Sequence, residues 1–313
     1  MTPTTILLSI FAGLAYAGPL LRRATAISAQ AYSEIELVEQ WAAASYCPAN
    51  DNGTAGAEIT CSVGNCPLVD TANTAIVIGV PTTTQADTAC FVALDHTNKK
   101  IVNSYRGTES FRNYLIDADL SMTDLSAICT GCRGFKGMYR GWTDVASVTL
   151  AAIKSAKQSY PDYTVTVTGH SLGGGIATFA TTIIRNAGIA ADMVTFGAPR
   201  VGNEAYVNYT MAQTPALGTN YRVTHTLDPV PNEPSLNSGY LHISPSYFIT
   251  AVGTAAVGPT DVEYVVGTDV EYESGSTSTE QTVAHDNYMG LPISTCYPVN
   301  PDGSIPYSVG GGF

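Results

Sequence analysis

The sequence predicts an α/β protein built on a mostly parallel sheet with flanking helices. Three observations carry this. Strand-like and helix-like segments alternate through the middle of the chain, the order that crossover helices impose on parallel strands. Hydrophobic residues make up 45% of the 313 and charged residues 13%, enough apolar material for a sizeable core. Gly169-His170-Ser171-Leu172-Gly173 falls between a strand pattern and a helix pattern, where a sharp strand–turn–helix is expected.

Each element follows from local pattern. Residues 28–46 carry Ile35, Val38 and Trp41-Ala42 at three- and four-residue spacing, a helix. Residues 48–74 are rich in Gly, Asn, Thr and Pro and read as loops. Strands are predicted at 74–80, 90–95 and 100–105, the last two joined by a turn at Thr97-Asn98. A helix is expected over 143–159 with Val145, Val148, Ile153 and Ala156 inward, stopped at Pro161-Asp162. Strand 163–168, helix 172–186, and strands 192–196 and 221–227 follow. Residues 250–282 suggest a peripheral hairpin and a flexible loop, and the tail 301–313 poor order. No repeat is found, and no linker is long enough to split the chain, so residues 24–313 are expected to form one domain.

The first 17 residues look like a secretory leader: an apolar run of about ten residues, then Ala15-Tyr16-Ala17, a small-x-small cleavage pattern. That run is shorter than the roughly 20 residues a membrane span needs. Arg22-Arg23 is a dibasic site that would end a short propeptide at 18–23. A secreted, extracellular protein is expected. Net charge is −12, and losing Arg22 and Arg23 removes two positive charges to leave −14. With no Lys/Arg cluster to neutralise phosphates, nucleic acid is excluded as a partner. Any contact with lipid must be apolar, peripheral and transient rather than drawn by charge.

Seven cysteines in an exported chain imply disulfides and one left over. Cys61 and Cys66 bracket one Gly-containing turn, and Cys129 and Cys132 another. Cys47 and Cys296 would then join the ends of the domain. Cys90 alternates like a strand residue and is expected as a buried free thiol. A metal site is not expected, since there is one C-x-x-C and no His at ligand spacing. Asn52-Gly53-Thr54 and Asn208-Tyr209-Thr210 are N-glycan acceptor sequons.

The chemistry centres on Ser171. In a nucleophile elbow the turn is too tight for side chains two residues either side of the serine, hence Gly169 and Gly173. The helix N-terminus behind it favours negative charge. Serine needs a base, and the base an orienting acid; in elbow enzymes these follow in the order acid, then His. Asp228 lies just past a strand end, on the edge where functional loops gather; Asp192 starts its strand, on the wrong edge. Order then leaves His242 and His285. His242 alternates like a strand residue, while Ala284-His285-Asp286 looks loop-like, which favours His285.

Six segments sharpen this: Asp95-His96-Thr97-Asn98-Lys99, Tyr105-Arg106-Gly107-Thr108, Cys129 through Gly134, Val167 through Gly174, Phe196 through Asn203, and Thr224 through Pro231. With them the chain resembles the secreted filamentous-fungal lipases of the class 3 α/β-hydrolase family, whose relatives include feruloyl esterases. The resemblance covers residues 35–296. It implies an α/β-hydrolase fold with a helical lid, a triad of Ser171, Asp228 and His285, and an oxyanion hole from Thr108 and Leu172. The same three disulfides are implied, with Cys90 unpaired. By family position Met138 and Val230 are acyl-pocket residues, and residues 109–120 are the lid, with Phe111, Tyr114, Leu115 and Ala118 on one face. Two departures stand out. The run after His285, Asp286-Asn287-Tyr288-Met289, is more polar than the family's aromatic one, and Asp117 and Asp119 make the lid less apolar. The implied activity is acylglycerol ester hydrolysis at a lipid–water interface, by a monomer without cofactor. A feruloyl or short-chain carboxylesterase is the alternative, and a non-catalytic lipid-binding protein a more distant one.

Overall fold

The computed structural model describes the backbone of residues 22–24 and, in full, residues 26–83, 87–108 and 120–296. The expected leader, the 301–313 tail and the lid residues Phe111, Tyr114, Leu115 and Ala118 lie outside the described residues.

Nine strands form the main sheet among the described residues: β1 (Arg22–Ala24), β2 (Thr74–Val80), β3 (Cys90–Asp95), β4 (Lys100–Tyr105), β5 (Thr164–His170), β6 (Ala191–Phe196), β7 (Asn220–His225), β8 (Ser246–Ile249) and β9 (Val262–Val266). Their order is β1-β9-β8-β7-β6-β5-β4-β3-β2. The centre from β4 to β8 is parallel, while β2, β3, β9 and β1 join antiparallel at the two sides. The chain therefore has the α/β-hydrolase fold. Arg22 and Arg23, expected as a processing site, lie on the outermost strand β1 and pair with Val266 and Val265 of β9.

Helices cover both faces, as a parallel sheet requires. On one face α2 (Lys136–Ser159) and α3 (Leu172–Asn186) pack in a cluster with Ile101, Tyr105, Val165 and Val167. On the other, α1 (Ala29–Ala44) lays Ile35, Val38 and Ala42 against Val194, Phe196 and Val223. Because side chains alternate along a strand, Thr166 and Thr168 of β5 turn away from the α2–α3 cluster. Two shorter helices complete the set used below, α4 (Glu204–Ala212) and α5 (Ser278–Asp286).

Two sequence expectations are corrected. Helix α2 begins at Lys136, not near Thr143, and its buried stripe runs Met138, Trp142, Val145, Thr149, Ile153, Ala156. Val148 falls off that stripe and is 41% exposed. The stretch expected as hairpin and loop contributes β9, which pairs antiparallel with β8 as a hairpin would, but where the loop was expected it forms helix α5. The α5 helix is short and polar, so its apolar periodicity is faint; what starts it is a capping box between Thr277 and Glu280. The bridges Cys47–Cys296, Cys61–Cys66 and Cys129–Cys132 are formed, and Cys90 is free and buried.

Candidate active site

The parallel strands end in register, so their carboxyl ends collect one set of loops. Tyr105 pairs with Gly169, His170 with Phe196, and Phe196 with Val223. The turns that follow bring Thr108, Ser171 and Asp228 to the same edge.

Ser171 joins β5 to α3 with φ 56° and ψ −128°, a backbone conformation that non-glycine residues seldom hold. Its own N–H donates to the Phe196 carbonyl at 2.9 Å. A Cβ added to Gly169 or Gly173 would run into backbone, of Gly173 in one case and of Tyr105 in the other. The elbow closes only because both are glycine.

The hydroxyl of Ser171 donates to His285 Nε2 at 2.9 Å. His285 Nδ1–H faces both carboxylate oxygens of Asp228, at 3.0 Å each. Asp228 is wholly buried, and two more donors fix it: the Val230 N–H at 2.9 Å and the Tyr288 hydroxyl at 2.6 Å. Burial opposes charge on His285, but the charge and hydrogen bond of Asp228, with Asp286 nearby, raise its pKa above the ordinary histidine value. The residue also stands in the last turn of α5, where the helix end favours a cation. Burial and the Asp228 charge push the Tyr288 phenol well above its usual range, so it stays a donor.

Leu172 is the first residue of α3, and an N–H there has no intrahelical acceptor. The Thr108 hydroxyl is buried with no hydrogen-bond partner among the described residues. Its loop runs against Ser171: a Cβ on Gly107 would lie 3.1 Å from Ser171 Cβ. Unpaired donors beside an activated hydroxyl are what an oxyanion requires.

The sequence-predicted residues are therefore largely brought together. His285 is helical rather than loop-borne. His242 is apart, bonded through Nε2 to the Pro231 carbonyl at 2.5 Å; burial, with Arg222 and Arg200 nearby, drives its pKa well below normal. Val230 enters through its backbone N–H. Met138 is completely buried against Gly175 between α2 and α3. A ligand-like group of Cys61, Cys66 and Asp70 has both sulfurs tied in a disulfide. Sequence reasoning missed Tyr288 and His170, whose bonds reach residues 60 and 115 positions away; the one local signal was an aromatic residue three places after His285.

Residues 102–238 match the family described as Lipase (class 3). The secreted mono- and diacylglycerol lipase A of Penicillium cyclopium is 37% identical over 289 residues, 92% of this chain and 89% of that protein. The secreted mono- and diacylglycerol lipase 1 of Fusarium solani is 35% identical over 287 residues, 90% and 82% of the two chains. The crystal structure of the mono- and diacylglycerol lipase from Aspergillus oryzae superposes with a TM-score of 0.76 at 35% identity, spanning 84% of this chain and 98% of that one. An elbow serine on an α/β-hydrolase sheet, in a chain this similar to lipases over nine-tenths of its length, leaves one conclusion: the chain belongs to the class 3 lipase family and is a serine ester hydrolase.

Proposed function

We propose that the protein hydrolyses acylglycerols outside the cell, with Ser171, His285 and Asp228 as its triad. The observation that carries this is the unbroken chain of hydrogen bonds from Ser171 through His285 to Asp228, at 2.9 and 3.0 Å. The names of the relatives support mono- and diacylglycerols as substrates and support export, as do the three disulfides.

Ser171 Oγ attacks the ester carbonyl carbon while His285 Nε2 takes its proton; Asp228 holds the imidazole in the tautomer that can accept it. The carbonyl oxygen becomes an oxyanion, received by the N–H groups of Leu172 and Thr108 and the Thr108 hydroxyl. Collapse breaks the bond to the leaving alcohol, which takes the proton back from His285 and leaves an acyl-Ser171. Water, deprotonated by His285, attacks the acyl carbon, and a second collapse returns Ser171 and releases the fatty acid. These steps call on no metal or cofactor. Met138 and Val230 are the acyl-pocket candidates, Phe111, Tyr114, Leu115 and Ala118 the lipid-facing lid, and the exposed Asn52 and Asn208 the glycan acceptors. The contact with lipid is peripheral and transient, made by a monomer.

A panel of emulsified mono-, di- and triacylglycerols, with soluble p-nitrophenyl and cinnamate esters alongside and Ser171→Ala as blank, tests this. Ser171-dependent release of fatty acid from partial glycerides is the expected result. A preference for soluble cinnamates with no rise at an interface would turn the assignment to a feruloyl-type esterase. A folded protein that releases nothing and takes no fluorophosphonate label at Ser171 would be a lipid binder.

A further inference from the structure

His170 belongs to the elbow, yet none of the steps above uses it. It closes β5, is 1% exposed, and has both ring nitrogens bonded. Nε2 lies 2.9 Å from the backbone carbonyl oxygen of His285, and Nδ1 2.7 Å from the Tyr46 hydroxyl. A carbonyl can only accept, so Nε2 carries the proton. In a neutral ring Nδ1 is then the acceptor, and Tyr46 donates to it. Burial, with the neighbouring His285, holds His170 well below the ordinary histidine pKa, in keeping with a neutral ring. The two imidazoles stand 4.5 Å apart between ring centres, inclined at 39°.

The carbonyl that His170 engages lies in the last turn of α5, where backbone C=O groups lack an intrahelical donor. His170 supplies that donor from the residue immediately before the nucleophile. Its other partner, Tyr46, reaches a third segment. A Cβ on Gly107 would collide with the Tyr46 hydroxyl, so this hydroxyl borders the loop that carries Thr108. Tyr46 in turn precedes Cys47, whose bridge to Cys296 holds the chain eleven residues beyond His285. One imidazole thus touches the elbow by covalent bond, the His285 backbone by hydrogen bond, and the oxyanion side through Tyr46.

Resting on the triad assignment proposed above, we infer that His170 is a positioning residue for the reaction. Its Nε2–H bond to the His285 carbonyl sets how closely His285 Nε2 approaches Ser171 Oγ. A misplacement of about 1 Å between reacting groups can cost about 100-fold in rate, so a tie at this point bears on turnover more than on substrate binding.

The test is steady-state hydrolysis of a soluble p-nitrophenyl butyrate by the full chain, with thermal melting recorded on the same samples. His170→Phe keeps a flat ring and removes both bonds; His170→Gln returns an amide donor near Nε2; Tyr46→Phe leaves His170 in place and removes its outer partner. The expected result is a 10- to 100-fold fall in kcat for His170→Phe with KM within about threefold. His170→Gln should recover at least half of that loss on a logarithmic scale, and Tyr46→Phe should lose kcat by a smaller factor, again with KM held. A folded His170→Phe with kcat within twofold of the parent overturns the inference. So does an equal loss in the Phe and Gln variants that tracks a lowered melting temperature, since that marks packing alone. If His170→Phe does not fold, Tyr46→Phe decides: reduced kcat at unchanged KM and melting temperature supports positioning, and unchanged kcat rejects it. Ser171→Ala runs alongside; hydrolysis surviving there would remove the triad itself, and the inference with it.

Discussion

Asp228 at the carboxyl edge of the sheet and Glu39 in the middle of α1 are both shut off completely from solvent. Asp228 is met by His285, Tyr288 and the Val230 N–H. Both oxygens of Glu39 find no donor among the described residues, and neither do those of Asp51, at the end of the short helix Pro48–Asp51 that follows α1. Burial pushes the pKa of Glu39 well up, helped by Glu36, and takes Asp51 to about 7 against a weaker opposing pull from Arg106. Burying a carboxylate without partners favours its neutral form. Carboxyl groups of equal burial are thus met by donors at one place and left without them at the other. What differs is the supply of donors, and only the donor-rich place can stabilise an imidazolium.

The largest effect is expected at Asp228. Asp228→Asn keeps the shape but inverts the tautomer preference of His285, and kcat on a soluble ester should fall about 10,000-fold. The pH profile gives a second readout. His285 must be neutral to act as base, and its pKa is raised, so activity should be lost as pH drops through a midpoint above about 6.5. Without the carboxylate that midpoint should move down. An unchanged acid limb in Asp228→Asn would show that Asp228 does not act on His285.

Asp51 is expected to respond in the opposite way, by gaining stability. Its folded pKa exceeds its unfolded value, so between pH of about 4 and about 7 the folded state binds more protons, and stability falls as pH rises through that window. Asp51→Asn should therefore raise urea-unfolding stability at pH 8 by up to about 4 kcal/mol. The gain should vanish below about pH 4, where both forms are neutral. Glu39→Gln should act in the same direction. A loss at pH 8 in both variants would mean that these acids are paired after all.

A smaller change sharpens the donor-rich side. Tyr288→Phe removes one of three donors to Asp228, a charged hydrogen bond worth about 1.5–3 kcal/mol. Because Val230 and His285 remain, kcat should drop about tenfold, well short of Asp228→Asn, with little change in KM. Stopped-time assays over a range of ester concentrations would separate the two constants.

Much of this architecture could be read from local sequence. The expected strands at 74–80, 90–95 and 100–105 and the helix at 172–186 coincide with β2, β3, β4 and α3, because each is bounded by turn residues and carries its own period. Ser171 was legible for a similar reason: Gly169 and Gly173 announce a turn that closes only with hydrogen side chains. Helix α5 was not, since nine residues with a mostly polar face give little apolar rhythm; its Thr277 and Glu280 capping pair was the usable sign. Asp228 needed strand-edge reasoning, and Thr108 came through resemblance alone. The roles of Tyr288 and His170 belong to contacts across more than half a hundred residues, which no window on the chain can display.

The Cys47–Cys296 bridge joins positions 249 residues apart at a Cα separation of 5.0 Å. Covalently, the body of the enzyme is a ring. Every group in the proposed chemistry, from Thr108 to His285, lies on its circumference, and so do all nine strands but β1. A protease that cuts one exposed loop converts a ring into an open chain and releases nothing; two cuts are needed to free a fragment. For an enzyme proposed to work outside the cell, that makes first cleavage survivable. It also means new ends could be opened within a surface loop, and the old ones left joined, without parting Ser171 from His285.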